Sequence, residues 1–302
     1  MAEDVAASSA LGRTAGAPVR PGYAYTDRGA VHYVEAGSGE PLLLLHATPG
    51  SHRAFGYLLP LLAPRFRTIA VDTPGYGNSA AGPGTPSIDG MARSLIGLLD
   101  ALDLPRVHLL GLHTGNKIAA AMACERPDRV NRVVLAGQTH SLIVNREARD
   151  AAIRELIDHY FARFAASSDG AHRVRHWLMA QADVQSLWWP QALLSGASVD
   201  DDDVAIAESM VIDHLLGWRS ITSTYEAIFA FDLAAAMRRV AAPTLVLELH
   251  AANERHFGLQ APIITAMMPN ARPMVLADCD ASVFRRRPQS VVDAVLPFLT
   301  EG

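Results

Sequence analysis

Short apolar runs of strand length alternate with segments of helical periodicity along most of this 302-residue chain. Continuous apolar runs are typical of parallel strands that are covered by helices on both faces of the sheet. The pattern therefore predicts an α/β fold with a mostly parallel central sheet and flanking helices. The predicted strands lie at 30–36, 41–46, 67–72, 106–110, 130–136, 244–249 and 272–276.

The alternation stops after residue 137 and resumes at 242, and the segment between them reads as helices at 146–165, 171–182, 201–218 and 221–240. Open α/β sheets bind ligands outside the carboxyl ends of their strands, so such an insertion is expected to form a helical lid over the site. The predicted organisation is a disordered tail (1–21), a first core part (22–138), the lid (139–240) and a second core part (241–302).

Composition narrows the classes of partner. A net charge of -5 and a pI near 6.2 provide no basic field for nucleic acid. No apolar segment approaches the roughly 20 residues that span a bilayer, and the first 20 residues do not read as a secretory signal. Two cysteines, Cys124 and Cys279, form neither a disulfide framework nor a zinc set, which favours a reducing cytoplasm. The expected partner is a small molecule, and the oligomeric state stays open, a homodimer included.

The segment "HLLGLHTGNKIAAAMA", residues 108–123, carries the main functional signal. A strand leads into Gly111-Leu112-His113-Thr114-Gly115 and then into an alanine-rich helix, which is the pattern of a nucleophile elbow, G-x-Ser-x-G. The central residue here is histidine.

Four further segments precede or follow the elbow along the chain and support the same interpretation. They are "LLLLHATPGSHRAF", "IAVDTPGYGNS", "APTLVLELHAANE" and "ARPMVLADCDASVFRRRPQSVVDAVLPFL". Over residues 22–300 the chain resembles the α/β-hydrolase superfamily, in its epoxide hydrolase, dehalogenase and esterase-like branch. The resemblance places His113, Ala252 and Ala281 where the family has its nucleophile, acid and histidine. Serine-triad hydrolysis needs an oxygen nucleophile activated by an imidazole, so these residues argue against that mechanism.

An imidazole at the elbow can act as a general base if a second group orients it. Asp278 and Asp280 flank Cys279 on the loop that resembles the family's histidine loop, and they are the candidate partners of His113 in a swapped dyad. The backbone N–H groups of Thr48 and Thr114 are the candidate oxyanion hole, although Ala47 stands where the family usually has glycine.

Candidate substrate contacts are the histidines that follow predicted strands and the aromatic residues of the insertion: His46, His140, His250, Trp188, Trp189 and Tyr225. The function predicted is acid/base catalysis on a small, largely apolar organic molecule, without a cofactor or metal, either through an activated water or through proton transfer of a lyase, decarboxylase or cyclase type. Two alternatives stay open. One is a hydrolase-fold protein that binds a ligand without catalysis, and the other is a metal site built from His46, His113, His140 and His250.

Overall fold

The computed structural model describes residues 17–137, 142, 146–160, 167–175, 177, 201–250, 258–268, 270–277, 279 and 283–301. Their strands form one eight-stranded sheet in the order β1-β2-β4-β3-β5-β6-β7-β8. The pairs β1–β2 and β2–β4 are antiparallel, and the remaining neighbours are parallel. The strands are β1 (Arg20–Thr26), β2 (Gly29–Ala36), β3 (Glu40–Leu45), β4 (Phe66–Val71), β5 (Val107–Leu112), β6 (Val130–Ala136), β7 (Thr244–His250) and β8 (Ala271–Ala277).

Helices connect the strands and cover the sheet. They are α1 (Leu59–Leu62), α2 (Ile88–Ala101), α3 (Thr114–Glu125), α4 (Arg146–Tyr160), α5 (Asp201–Ala230), α6 (Leu233–Met237), α7 (Ala261–Met267), α8 (Val283–Arg286) and α9 (Pro288–Leu299), with 3-10 turns at His52–Phe55 and Pro127–Arg129. Residues 171–175 are also helical. No helix in the described part of the chain is both long and apolar enough to cross a membrane.

Two hydrophobic cores lie on the two faces of the sheet, and β3 contributes to both. Successive strand side chains point to opposite faces. Leu43 and Leu45 therefore pack with α2 and α3 on one face. Leu42 and Leu44 pack with α1 and α9 on the other. All four leucines are fully buried, which explains the uninterrupted apolar run and confirms the predicted α/β class.

The first strand was not anticipated from the sequence. Its segment, RPGYAYT, contains proline and glycine and leaves Tyr23 and Tyr25 exposed, so it lacks the apolar signature of the central strands. Because β1 is an antiparallel edge strand, only one face needs to be buried. It begins at Arg20, one residue before the predicted end of the tail.

The insertion between β6 and β7 contains α4, α5 and α6. The sequence predicts two helices, at 201–218 and 221–240. In the structure α5 instead runs without a break over 30 residues and ends at Ala230. Asp232 then caps α6 by accepting a hydrogen bond from the Ala235 N–H at 2.9 Å. The boundary predicted near Ser220 is absent, and the hydroxyl of Ser220 lies against Gly75.

Candidate active site

His113 stands at the junction of β5 and α3, in the position that the elbow pattern predicts. It has φ 48° and ψ -98°, a backbone conformation that residues other than glycine rarely adopt. Its N–H donates to the carbonyl of Ala136 at 3.1 Å, and its carbonyl accepts from the N–H of Asn116 at 3.1 Å. Strain of this kind persists only where the surrounding structure fixes it, and it concentrates at functional sites.

Glycines make this tight turn sterically feasible. A Cβ on Gly115 would lie 2.1 Å from the carbonyl oxygen of Leu45, and one on Gly111 would lie 2.5 Å from the backbone of Gly115. The imidazole of His113 rests on Gly137, where a Cβ would come within 2.7 Å of its Cε1. The turn therefore places the His113 ring directly beside the end of β6.

Asn116 fastens the elbow to that strand end. Its side-chain amide donates to the carbonyls of Ala136 and Gly137 at 2.9 and 3.1 Å, and its Oδ1 accepts from the Ala136 N–H at 3.0 Å. This buried amide holds β6 in register with the first turn of α3, which positions Gly137 under the imidazole.

The loop after β3 carries the predicted oxyanion-hole residue Thr48, which is joined to Pro49 by a cis peptide bond. The hydroxyl of Tyr225 on α5 donates to the Thr48 carbonyl at 3.4 Å. Thr114 is the first residue of α3, so its N–H has no intrahelical acceptor. Tyr225 therefore lies against the loop that carries Thr48, and the oxyanion hole formed by Thr48 and Thr114 stays a prediction.

His46 is buried, and both of its ring nitrogens are occupied. Nε2 accepts from the N–H of Thr73 at 3.0 Å, and Nδ1 lies 2.7 Å from the carbonyl of Ala47, which assigns the proton to Nδ1. Burial lowers the pKa of His46, and the hydrogen bond to Ala47 offsets this only in part. The ring thus joins the ends of β3 and β4, which is a structural role rather than the predicted substrate contact.

A second buried network centres on Asp72, directly after β4. One carboxylate oxygen accepts from His32 Nδ1 and the Asn78 N–H at 2.8 and 2.9 Å. The other accepts from His52 Nδ1 and the His52 N–H, both at 2.8 Å. Burial alone would raise the pKa of Asp72, but the hydrogen bonds from His52 and Asn78 outweigh it and hold the pKa far below its usual range.

His250, at the end of β7, lies near Glu248, with 3.5 Å between Nε2 and Oε2. Glu248 is buried and accepts from the N–H groups of Gln260 and Ala261 at 2.5 and 2.7 Å, so it caps the start of α7. In the described part of the chain, the group of side chains close enough to share a metal ion is His32, His52 and Asp72. It does not include His46, His113 or His250, the described members of the strand-end set.

Several predicted residues lie outside the described part of the chain. They are Asp278, Asp280, His140, Trp188 and Trp189, together with Ala252 and Ala281. The swapped dyad between His113 and an aspartate therefore stays a prediction. Cys279, between the two aspartates, is buried, forms no disulfide and donates to the carbonyl of Leu276 at 3.3 Å.

Sequence reasoning missed a charged cluster beside the loop after β3, formed by Ser51, Arg53, Asp213 and Arg285. Asp213 on α5 is buried and accepts from Ser51 Oγ at 2.6 Å and from an Arg53 guanidinium N–H at 3.2 Å, both on Oδ1.

Sequence reasoning also missed Lys117, which is fully buried on α3. Burial lowers its pKa to about 7. The sequence did contain a signal for this residue, because Lys117 stands among small and apolar residues directly after the elbow.

A groove of about 740 Å³ lies between α2, α3, α5 and α6. Cys124 lines it and donates to the carbonyl of Ala236 at 3.0 Å. None of the predicted site residues that the structure describes lines this groove.

A family model described as alpha/beta hydrolase fold matches residues 40–284. A "Haloalkane dehalogenase 2" from Mycobacterium tuberculosis is 39% identical over 111 residues, which cover 36% of this chain and 39% of that protein. A "2-hydroxy-6-oxononadienedioate/2-hydroxy-6-oxononatrienedioate hydrolase" from Paraburkholderia xenovorans is 40% identical over 118 residues, which cover 35% of this chain and 39% of that protein.

The crystal structure of a hydrolase from Pseudomonas aeruginosa superposes with a TM-score of 0.71 at 24% identity, over 93% of this chain and 99% of that one. At this identity the likeness concerns the fold. The chain thus spans about two fifths of the length of the curated relatives, and nearly the whole of the solved structure.

Proposed function

This chain belongs to the α/β-hydrolase fold family, and from that premise we propose that it is an enzyme whose acid/base chemistry centres on His113. The substrate is a small organic molecule, and the reaction proceeds without a serine-bound acyl intermediate. The observation that carries the proposal is the backbone of His113, which keeps a strained conformation, φ 48°, that a retired site would have no reason to preserve.

The chemistry follows from what the elbow offers. An imidazole can take a proton from water or from a carbon acid, and N–H groups of Thr48 and Thr114 would stabilise the resulting oxyanion or enolate. Asp278 or Asp280 would orient the ring, which replaces the usual triad by an atypical one. Both hydrolysis by an activated water and C–C cleavage are within reach of this arrangement.

Helix α5 supports the role of the insertion as a lid. Along one helix, Asp213 contacts Ser51, Gly217 packs on the ring of Tyr76, and Tyr225 contacts Thr48. The helix thus covers the loops that follow β3 and β4, where ligands of α/β sheets bind. Cys124 and Cys279 form no disulfide, which favours a reducing cytoplasm as the location.

The test is a substrate panel analysed by product mass. It contains a 1-haloalkane and a 2-hydroxy-6-oxo-dienoate, chosen after the two relatives, with a styrene-type epoxide and an aryl ester. We expect conversion of at least one panel member and little ester cleavage. His113→Ala should lower kcat/KM about 10²- to 10⁴-fold, the usual contribution of a general base.

His172→Ala is the matched control, since it removes an imidazole from the insertion and should leave turnover unchanged. A thermal shift on adding panel members, with no product from any of them, would instead favour the ligand-binding alternative. Full activity of a folded His113→Ala variant would overturn the proposal.

A further inference from the structure

The cluster of Ser51, Arg53, Asp213 and Arg285 combines three separate parts of the chain. Ser51 and Arg53 belong to the loop and 3-10 turn after β3, Asp213 to α5 and Arg285 to α8. The rings of Phe55 and Phe284 pack edge to face with centroids 5.8 Å apart, which holds α8 against the turn. Arg285 is thereby fixed beside the same loop that carries Thr48.

The charges in this cluster do not balance. Arg53 pairs with Asp213 at 3.2 Å, and the side chain of Arg53 is 24% exposed while that of Asp213 is 2% exposed. The negative charge of Asp213 acts electrostatically on Arg285. Within the described residues, however, Arg285 has neither an ion pair nor a hydrogen bond. Among the described residues, Asp213 thus pairs with Arg53, and no carboxylate forms an ion pair with Arg285.

Hydrogen-bonding capacity is also left over. The Nε of Arg285 and the Oδ2 of Asp213 are both removed from solvent and have no partner in the described part of the chain. Buried polar atoms are nearly always satisfied, and a buried charge without a partner is costly. Burial lowers the pKa of the Arg285 guanidinium, and the Asp213 carboxylate counteracts this. An arginine held in this way is ready to accept an anionic partner.

We propose that Arg285, with Arg53, binds a carboxylate group of the substrate. The planar guanidinium matches a carboxylate with two parallel N–H···O bonds, and an arginine without an ion pair among the described residues matches a monoanion. This inference deepens the proposed function by specifying that the organic substrate is a carboxylic acid whose apolar part extends from the arginine toward the elbow. Asp213 already pairs with Arg53, so its carboxylate competes with that of the substrate for this guanidinium.

The experiment measures calorimetric binding of hexanoate and benzoate, each compared with its neutral amide, in a buffer of low ionic strength. We expect the wild-type protein to bind the carboxylates at least tenfold more tightly than the amides. Arg285→Met should weaken carboxylate binding about 10- to 100-fold and leave amide binding unchanged, and Arg285→Lys should restore part of it.

Matched variants keep the result interpretable. Arg286→Met removes the same charge from the same short helix, where the side chain is exposed, and should leave carboxylate affinity unchanged. Asp213→Asn removes the competing carboxylate and should strengthen carboxylate binding, a change of opposite sign that a loss of folding cannot produce.

Two results would overturn the inference: equal affinity for carboxylates and amides in the wild-type protein, or carboxylate affinity in folded Arg285→Met equal to wild type. His113→Ala is measured in parallel. If it keeps carboxylate binding and loses turnover, both proposals stand. If it keeps turnover while Arg285→Met loses binding, the His113 mechanism fails and the carboxylate site stands.

Discussion

Two buried carboxylates, Asp72 and Asp213, bind adjacent residues of the loop after β3, and their surroundings differ. Asp72 accepts four hydrogen bonds from His32, His52 and Asn78, two on each oxygen. Asp213 receives both of its hydrogen bonds on one oxygen, and the other oxygen has no partner within the described residues. A buried carboxylate whose acceptor sites are filled stabilises the scaffold, whereas one with an oxygen left open stabilises it less.

The largest expected effect is that of Asp72→Ala. It removes the hydrogen bonds to buried His32 and partly buried His52 and should lower the free energy of unfolding by about 3–5 kcal/mol. Urea denaturation checks this value. Asp128→Ala, which removes an exposed carboxylate paired with Arg126, should leave the free energy of unfolding nearly unchanged. A similar small effect at Asp72 would contradict its structural role.

The same network predicts acid sensitivity. The pKa of Asp72 in the folded protein lies below its unfolded value because hydrogen bonds from His52 and Asn78 outweigh the cost of burial. Its stabilisation is therefore present above the unfolded pKa near 4 and is lost as the pH falls below that value, by about 2–3 kcal/mol in total. Burial also lowers the pKa of His32 and His46, so their contribution declines as the pH falls below about 6.5. Urea titrations between pH 7 and 3 should show both declines. Asp72→Asn should lack the lower one.

Lys117 is a buried titratable group that belongs to neither carboxylate network, and its pKa predicts a further dependence of stability on pH. Burial lowers its pKa to about 7, below the unfolded value near 10.5. The unfolded chain then binds more protons between those values, so stability rises with pH. Lys117→Met should remove this rise, so its free energy of unfolding, measured by urea denaturation, should change less between pH 7 and 10 than that of the wild-type protein. An equal rise in the variant would assign the pH dependence to another group.

The smallest expected effect belongs to Asp213→Asn. The variant keeps an oxygen for Ser51, and Arg53 is partly exposed, so the free energy of unfolding should fall by about 1 kcal/mol or less. A loss as large as that of Asp72→Ala would abolish the contrast between the two carboxylates. Differential scanning calorimetry of the two variants side by side makes the comparison direct.

Local sequence signals predicted the sheet and the elbow because both depend on neighbours in the chain. The leucine runs of β3 and β5 are buried on both faces, and Gly111 and Gly115 are required by contacts within a few ångströms of the turn. The carboxylate clusters depend on distant partners, since Ser51 and Asp213 are 162 residues apart in sequence. Hydrophobic periodicity is a local property of the sequence, so it cannot indicate a pairing between such distant residues. His46 follows a strand, as a site residue would, and only its two hydrogen bonds identify it as structural.

The central claim is that the imidazole of His113 performs the chemistry, and rescue of His113→Gly by added imidazole tests it most directly. Glycine suits the φ of 48° at this position, so the variant should fold while leaving a space where the ring was. The account predicts that His113→Gly is inactive toward the panel substrate that the wild-type protein converts, and that free imidazole restores turnover in a saturable manner. Turnover by His113→Gly equal to that of the wild-type protein without imidazole would contradict it.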